Sequence, residues 1–586
     1  MLYSKAVVCG LVALLGLGVE ASNHGNLPEG VLKYDIHGKR STQPVRNLVR
    51  RDDSVEDDLK NEYTHYTIEI EVGTPGQKQN VVLDTGSSDL WVMDKNNPYC
   101  AKTSKEKAAA KMGDRYILCD EDDGMFEAKK SKTFKKGDDN FYINYADGSF
   151  AKGYWGTDVV KVQDTSVKDV TFAVGEESNS SASVGVFGIG FPGLEAAVMQ
   201  GSGDPEEPSE PDFDNQYDNF PMMLKKQGIT KSVAYSLWLN DPDAKAGNIL
   251  FGGVDHAKYE GDLQKVPVVN ALPQLDDPIQ LTVMLSSLSV KPKDGDPIQV
   301  MEANFPALLD SGNTACMLPS SVITAVADSM QAEYDMYAES YIQECGIVED
   351  QGSFEFDLSG IKIEVPFSDM ILPLRDTEGK QIKMRNGKDA CFLVMFPATD
   401  TIVLGDTFLR SAYVVYDLEN KEVAMAQVKY NESSSDVEAI ESGIPKAKQA
   451  SSYSSTQFAT SIEIQSDISY TVSAPETTDF DLDQTTDIYG NGGTRSYTYS
   501  FHDYTYSSFD IYPYTVTYHY PSTYTRTISS SGAYKTAFGT ASKHSPSYSS
   551  DSGDSDSDNQ ASSASLRPLP ICFSILILSL TAVVFM

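Results

Sequence analysis

The chain has 586 residues, a formal charge of −37 and seven cysteines. A single core rarely serves more than about 250–300 residues, so at least two packed units are expected. The acidity argues against nucleic acid as a partner, because phosphates would be repelled, and suits a protein that stays soluble in mildly acidic surroundings or attracts basic substrates.

The first element is apolar. Lys5 precedes a run from Ala6 to Val19, and small residues follow at Ala21. This reads as a secretory signal spanning 1–21; the alternative, a membrane anchor, is disfavoured by the shortness of the run. Residues 22–51 are polar and carry Lys39-Arg40 and Arg50-Arg51. They read as a propeptide, an intramolecular inhibitor removed by a dibasic-specific processing protease, or else as an uncut basic patch. A short linker, 52–62, follows.

From Tyr63 to Tyr430 apolar and β-branched runs such as "YTIEIEV", "NVVLD", "TFAVG" and "YVVYD" recur between Gly, Pro, Asn and Asp. The pattern predicts a mainly β body. One helix is predicted over 320–334, with a serine N-cap. Two stretches break the pattern: 95–139, Lys-rich with the acidic knot "CDEDDG", and 201–219, rich in Gly, Pro and acids. Both read as surface loops. Beyond 430 Ser, Thr and Tyr dominate, and 431–559 reads as a solvated, disordered stalk to which no fold is assigned. Sequons stand at Asn179 and Asn431. The final block, Leu569 to Met586, is uncharged and follows small residues and a spacer. That order fits a GPI-attachment signal over 560–586, with Asn559 as attachment site and Gly553 second, which implies a membrane tether; a tail-end transmembrane helix is the alternative.

The most informative feature is an internal repeat. "VVLDTGSS" (81–88) matches "ALLDSGNT" (307–314), each an apolar strand ending in Asp-Thr/Ser-Gly. At a similar remove downstream stand Val186-Phe187-Gly188 and Val403-Leu404-Gly405. Two similar β halves are therefore expected, 63–265 and 266–430, packed so that Asp84 and Asp310 meet. Carboxyls about 3 Å apart cannot both ionise cheaply, so such a pair holds one proton and titrates as a unit. The ionised member can take a proton from water while the other donates to a peptide carbonyl. Gly86 and Gly312 let each loop turn tightly.

These motifs resemble the pepsin-type aspartic endopeptidases, and among them the fungal GPI-anchored yapsins, over roughly residues 64–428. The resemblance implies a bilobal fold with the site between two β-rich lobes, and a proteinase of secretory or cell-wall proteins that prefers Lys or Arg and needs no metal or cofactor. It places Thr85 and Ser311 as a hydroxyl pair cross-linking the Asp loops, with Ser87 beside Asp84. It also places Trp91 as the partner of a flap tyrosine, Tyr145, in "INYADGSFAKGYWGTDVV" (143–160). Asp147-Gly148 reads as the hairpin tip, and Asp147 also as an acceptor for a basic side chain. Where the family has Ser or Thr, this chain has Asn313, whose amide donates from a bulkier, planar group.

Cys9 and Cys572 fall in segments expected to be removed. By proximity Cys100 pairs with Cys119 and Cys345 with Cys391, which agrees with the family's disulfides; Cys316 is left over as a small buried hydrophobe. Lys129-Lys130 and Lys135-Lys136 lie beyond an enlarged loop that yapsin-like enzymes clip, so the chain is expected as a monomer, uncut or as two associated chains. The competing reading is an inactive surface scaffold or adhesin, which Asn313 favours. A cysteine protease centred on Cys316 finds no partner base by motif.

Overall fold

The computed structural model describes residues 27–40, 64–101, 117–199 and, with brief interruptions, 211–454, together with four short strands between 495 and 528. The signal segment, Arg50-Arg51, Gly553, Asn559 and the apolar C-terminal block lie outside the described residues.

Strand formation follows the alternation read from the sequence. In Thr64–Val72, Tyr66, Ile68, Ile70 and Val72 are buried while Glu69 is exposed, as a period of two dictates. A 14-stranded sheet runs from Lys448–Gln449 at one edge to Lys135–Asn144 at the other, and a 7-stranded sheet is built from residues of the second half. The repeat governs both. Gly185–Gly188 pairs in parallel with the strand ending at Asp84, and Ile402–Leu404 pairs in parallel with the strand ending at Leu309. Each of these strands separates the strand entering the Asp loop from the one leaving it, Leu90–Met93 in the first half and Cys316–Leu318 in the second. Cys100–Cys119 and Cys345–Cys391 are bonded, and Cys316 is free and buried, as expected.

Several elements differ from the sequence reading. Ala412–Asp417 and Glu422–Val428, read with the second half, join the large sheet through Ala234–Trp238 and Tyr259–Pro267 of the first. A base sheet shared by both halves thus crosses the boundary drawn at 265. Leu32–Arg40, inside the segment read as a propeptide, lies in the same sheet between Gly247–Phe251 and Thr64–Val72. Lys39 and Arg40 pair with His65 and Thr64, so that dibasic pair is held in a ladder rather than in a free loop. The helix covers only Ser320–Ser329, its N-cap is Pro319, and Gln331 takes a left-handed turn (φ 59°) into the strand Glu333–Asp335. Of the lysine pairs, Lys129-Lys130 closes a 3-10 turn and Lys135-Lys136 begins a strand.

The largest departure is at 431–454, read as the start of a stalk. This segment is a strap packed on the body. Val437–Ala439 pairs with Gly253–Asp255, Lys448–Gln449 pairs with Gln264 and Lys265, and Ile440, Ile444 and Ala450 are buried. Ser435 Oγ and the Asp436 amide donate to Asp255 at 2.8 and 2.7 Å. Farther on, in the tyrosine-dense stretch, Arg495–Tyr499 pairs with Tyr524–Ile528 and Ser508–Ile511 with Tyr514–Thr517.

Candidate active site

The two Asp loops meet, and hydroxyls lock them together. Ser311 Oγ accepts from the Thr85 amide at 3.2 Å, and Thr85 Oγ1 accepts from the Ser311 amide at 2.9 Å. Each hydroxyl also donates across the gap, Thr85 to the Leu309 carbonyl and Ser311 to the Leu83 carbonyl, both at 2.8 Å. All four bonds are buried, where geometry is held most firmly. The glycines explain how closely the loops approach. A Cβ on Gly86 would lie 2.5 Å from Asp310 Oδ1, and one on Gly312 would lie 2.5 Å from Asp84 Oδ1. Only glycine fits at either place, because each loop's backbone lies against the other loop's carboxyl.

Asp84 Oδ1 accepts from the Gly86 amide at 2.7 Å, and Ser87 Oγ donates to Asp84 Oδ2. Asp310 Oδ1 accepts from the Gly312 amide at 2.8 Å. Burial holds the Asp310 carboxyl well above the usual carboxylate range. The adjacent Asp84 charge and a hydrogen bond between the two carboxyls add to this, against smaller opposing effects from the Gly312 and Asn313 amides. The two carboxyls therefore titrate as a unit, and that unit retains a proton above the usual carboxylate range. At the position matching Ser87, Asn313 turns its Oδ1 to the Ala315 amide at 3.2 Å. The second loop thus uses this side chain to brace itself.

Over the pair hangs the hairpin formed by Lys135–Asn144 and Phe150–Val162. Trp91 Nε1 donates to Tyr145 OH at 2.7 Å, as the resemblance implied. Gly148 has φ 77° at the tip, and Asp147 Oδ1 accepts from the Ser149 amide at 2.8 Å. The turn role of Asp147 is thus evident, and it occupies Oδ1 alone. Asn179 Oδ1 accepts from the Phe150 amide at 2.8 Å, so this sequon asparagine sits at the hairpin's base, whereas Asn431 is exposed. Cys316 lies behind the second loop, 3.6 Å from Thr407 Oγ1, and burial pushes its thiol up to about 11. A thiol so protonated is a poor nucleophile.

Among the buried acids that sequence reading missed, three lie around the site. Asp406, which directly follows Val403-Leu404-Gly405, is fully buried, its amide donates to the Asn313 carbonyl at 2.8 Å, and neither carboxyl oxygen has a hydrogen-bond partner among the described residues. Burial holds it well above the usual range. Asp89 and Glu195 are also fully buried. Asp89 directly follows "VVLDTGSS", but polarity in a turn says nothing about burial, and the partners that bury it are remote in sequence.

Two coupled carboxyls on interlocked loops, beside a hairpin tied down through Tyr145, can hold and activate a water between them. Comparison with known proteins agrees. The sequence pattern of the family described as eukaryotic aspartyl protease matches residues 65–428. Aspartic proteinase 3 of Saccharomyces cerevisiae is 34% identical over 512 residues, 78% of this chain and 86% of that protein. Aspartic proteinase yapsin-3 of the same yeast is 38% identical over 403 residues, 68% and 73% respectively. Secreted aspartic protease 9 of Candida albicans is 29% identical over 488 residues, 69% and 84%. The chain belongs to the eukaryotic aspartyl proteases and is an aspartic endopeptidase similar to the yapsins.

Proposed function

We propose that Asp84 and Asp310 are the catalytic pair of a cell-surface endopeptidase that cleaves beside Lys or Arg. The observation that carries the assignment is the hydroxyl lock between the two loops, which leaves each carboxyl facing the other. Asp84 takes a proton from the water as its oxygen bonds to the scissile carbonyl carbon, and Asp310 gives its proton to the carbonyl oxygen. The resulting tetrahedral diol collapses as the C–N bond breaks: Asp84 passes the proton taken from water to the leaving nitrogen, and Asp310 recovers a proton from a diol hydroxyl as the new carboxyl's C=O forms. Thr85, Ser311, Gly86, Gly312, Ser87 and Asn313 hold this geometry, and Tyr145 and Trp91 set the flap over it.

The basic preference rests on the acidity of the chain and on Asp147 at the flap tip, whose Oδ2 is not used by the turn bond. Profiling cleavage sites of the secreted protein at about pH 4–5, with and without pepstatin, tests the reading. Pepstatin-sensitive cuts enriched at Lys and Arg are expected, with Asp147→Asn lowering that enrichment about tenfold or less, as expected for one half-buried charge contact. Cuts indifferent to basic residues would reject the specificity and leave the chemistry standing.

Residues 1–21, 22–51 and 560–586 carry the proposed signal, propeptide and GPI signal, with attachment at Asn559. Glycans are proposed at Asn431 and Asn179. Of the two dibasic pairs, Arg50-Arg51 is the proposed processing site, because a protease needs an extended, unpaired substrate strand and Lys39-Arg40 is paired. For Asn313, replacement by Thr is expected to keep activity and move the acid limb of the pH–kcat/KM profile by about half a unit. An unmoved acid limb would show that Asn313 does not tune the pair.

A further inference from the structure

A ring of contacts joins the catalytic loop to the flap, and its closing member comes from the end of the acid-rich stretch 201–219. Asp89, five residues beyond Asp84, accepts from the Ala196 amide with Oδ2 at 2.8 Å and from Tyr217 OH with Oδ1 at 2.7 Å. The Tyr217 amide donates to Glu195 Oε2 at 2.9 Å. The Tyr217 ring meets Trp155 edge-on at 5.5 Å, and Trp155 meets Phe141 of the first flap strand at 5.0 Å. That strand leads to Tyr145, which accepts from Trp91, two residues past Asp89. These aromatics form a hydrophobic cluster of their own with Ala196 and Val186.

The polar side of the ring is unusual. Asp89 and Glu195 have no exposed surface, and Glu195 Oε1 has no hydrogen-bond partner among the described residues. The groups facing them are Asp84 on the catalytic loop, Asp218 beside Tyr217, Tyr145 on the flap and Tyr217 itself. All are acids or phenols, and of them Asp218 is ion-paired with the exposed Lys226.

We propose that Tyr217 is the positioning residue that ties the flap to the catalytic loop, and that the Asp89–Glu195 pair makes this tie proton-dependent, firm in acid and loosened towards alkaline pH. Burial pushes Asp89 up to about 7 and Glu195 up to about 9, more than their hydrogen bonds lower them. The folded state therefore binds protons that the unfolded chain has released. The tie is strongest below the ordinary carboxylate range and weakens as pH rises towards those values. Above them the ring holds uncompensated buried negative charge. An enzyme of acid compartments would thus lose flap order, and turnover, on reaching neutral surroundings.

The test is hydrogen exchange of flap peptides in the full chain, corrected for intrinsic rate, at about pH 5 and about pH 8. Protection of 141–155 should fall about tenfold or more on raising pH, and Asp89→Asn, which keeps an acceptor but cannot ionise, should flatten that dependence. Its alkaline activity limb should move up by about one pH unit. Tyr217→Phe should lower flap protection at both pH values and raise KM more than it lowers kcat. If Asp89→Asn does not fold, Glu195→Gln carries the same expectation with a smaller shift. Flap protection independent of pH in the parent, or variants with the parent's pH dependence, would overturn the proposal.

Discussion

Replacing Asp310 by Asn is expected to lower kcat/KM by about a thousandfold or more, because the proton donor to the carbonyl and the partner that orients the water are lost together. Asp84→Asn should do the same, and the double variant should be little worse than either single one, since the carboxyls act as a unit. The stability change runs the other way. Asp310 is raised in the folded state, chiefly by burial and then by Asp84. It therefore binds a proton that the unfolded chain gives up, so stability is highest below the ordinary carboxylate range and is lost as pH climbs through the raised value. An Asn cannot ionise, so Asp310→Asn should fold and should flatten the decline in Tm with rising pH. Thermal scans across pH, alongside pepstatin-sensitive cleavage, check both parts. A variant with more than a small fraction of parental activity would exclude Asp310 from the chemistry.

Truncation after Tyr430 should be far more damaging than truncation after Ser454. The strap buries Ile440 and Ile444 against Trp238, Tyr413 and Val415 on the outer face of the base sheet. Burying two such side chains is worth roughly 4 kcal/mol, and the bonds to Asp255 from Ser435 and Asp436 add about 1 kcal/mol each. Their loss also leaves Asp255, a buried acid, with fewer donors. The chain ending at 430 should melt at least about 10 °C lower, or aggregate through the uncovered apolar face. The chain ending at 454 should match the parent in Tm and activity, because it keeps the whole strap. Equal melting of the two truncations would mean that the strap contributes nothing to the fold.

The parts legible in advance share one physical trait, which is that their signal is local. Period-two alternation in Thr64–Val72 states which side chains face inward, and a two-residue step cannot slip without exposing them. Asp-Thr-Gly and Asp-Ser-Gly are short and each follows an apolar strand, so the two sites and their pairing could be read together. Cys316, in an apolar run, announced its own burial.

What was misread depends on partners distant in sequence. "NESSSDVEAIESGIPKAK" is polar enough to read as solvated chain, and only the presence of an unfilled apolar face on the base sheet turns Ile440 and Ile444 into core residues. The helix over 320–334 ends early because the left-handed turn at Gln331 lets Glu333–Asp335 pair with Ser340–Glu344, a ladder that helix propensity cannot anticipate. Leu32–Arg40 is a sheet strand because Gly247–Phe251 and Thr64–Val72 leave a place between them. The sequence by itself determined the β class, the twofold repeat and the two carboxyls, because each is written in contiguous residues, whereas the lock and the flap pair were implied by the family resemblance. The tertiary structure alone decided which acids are buried, how closely the two carboxyls are coupled, and how Tyr217 closes a ring onto Asp89, because burial and charge coupling are properties of the surroundings that folding assembles.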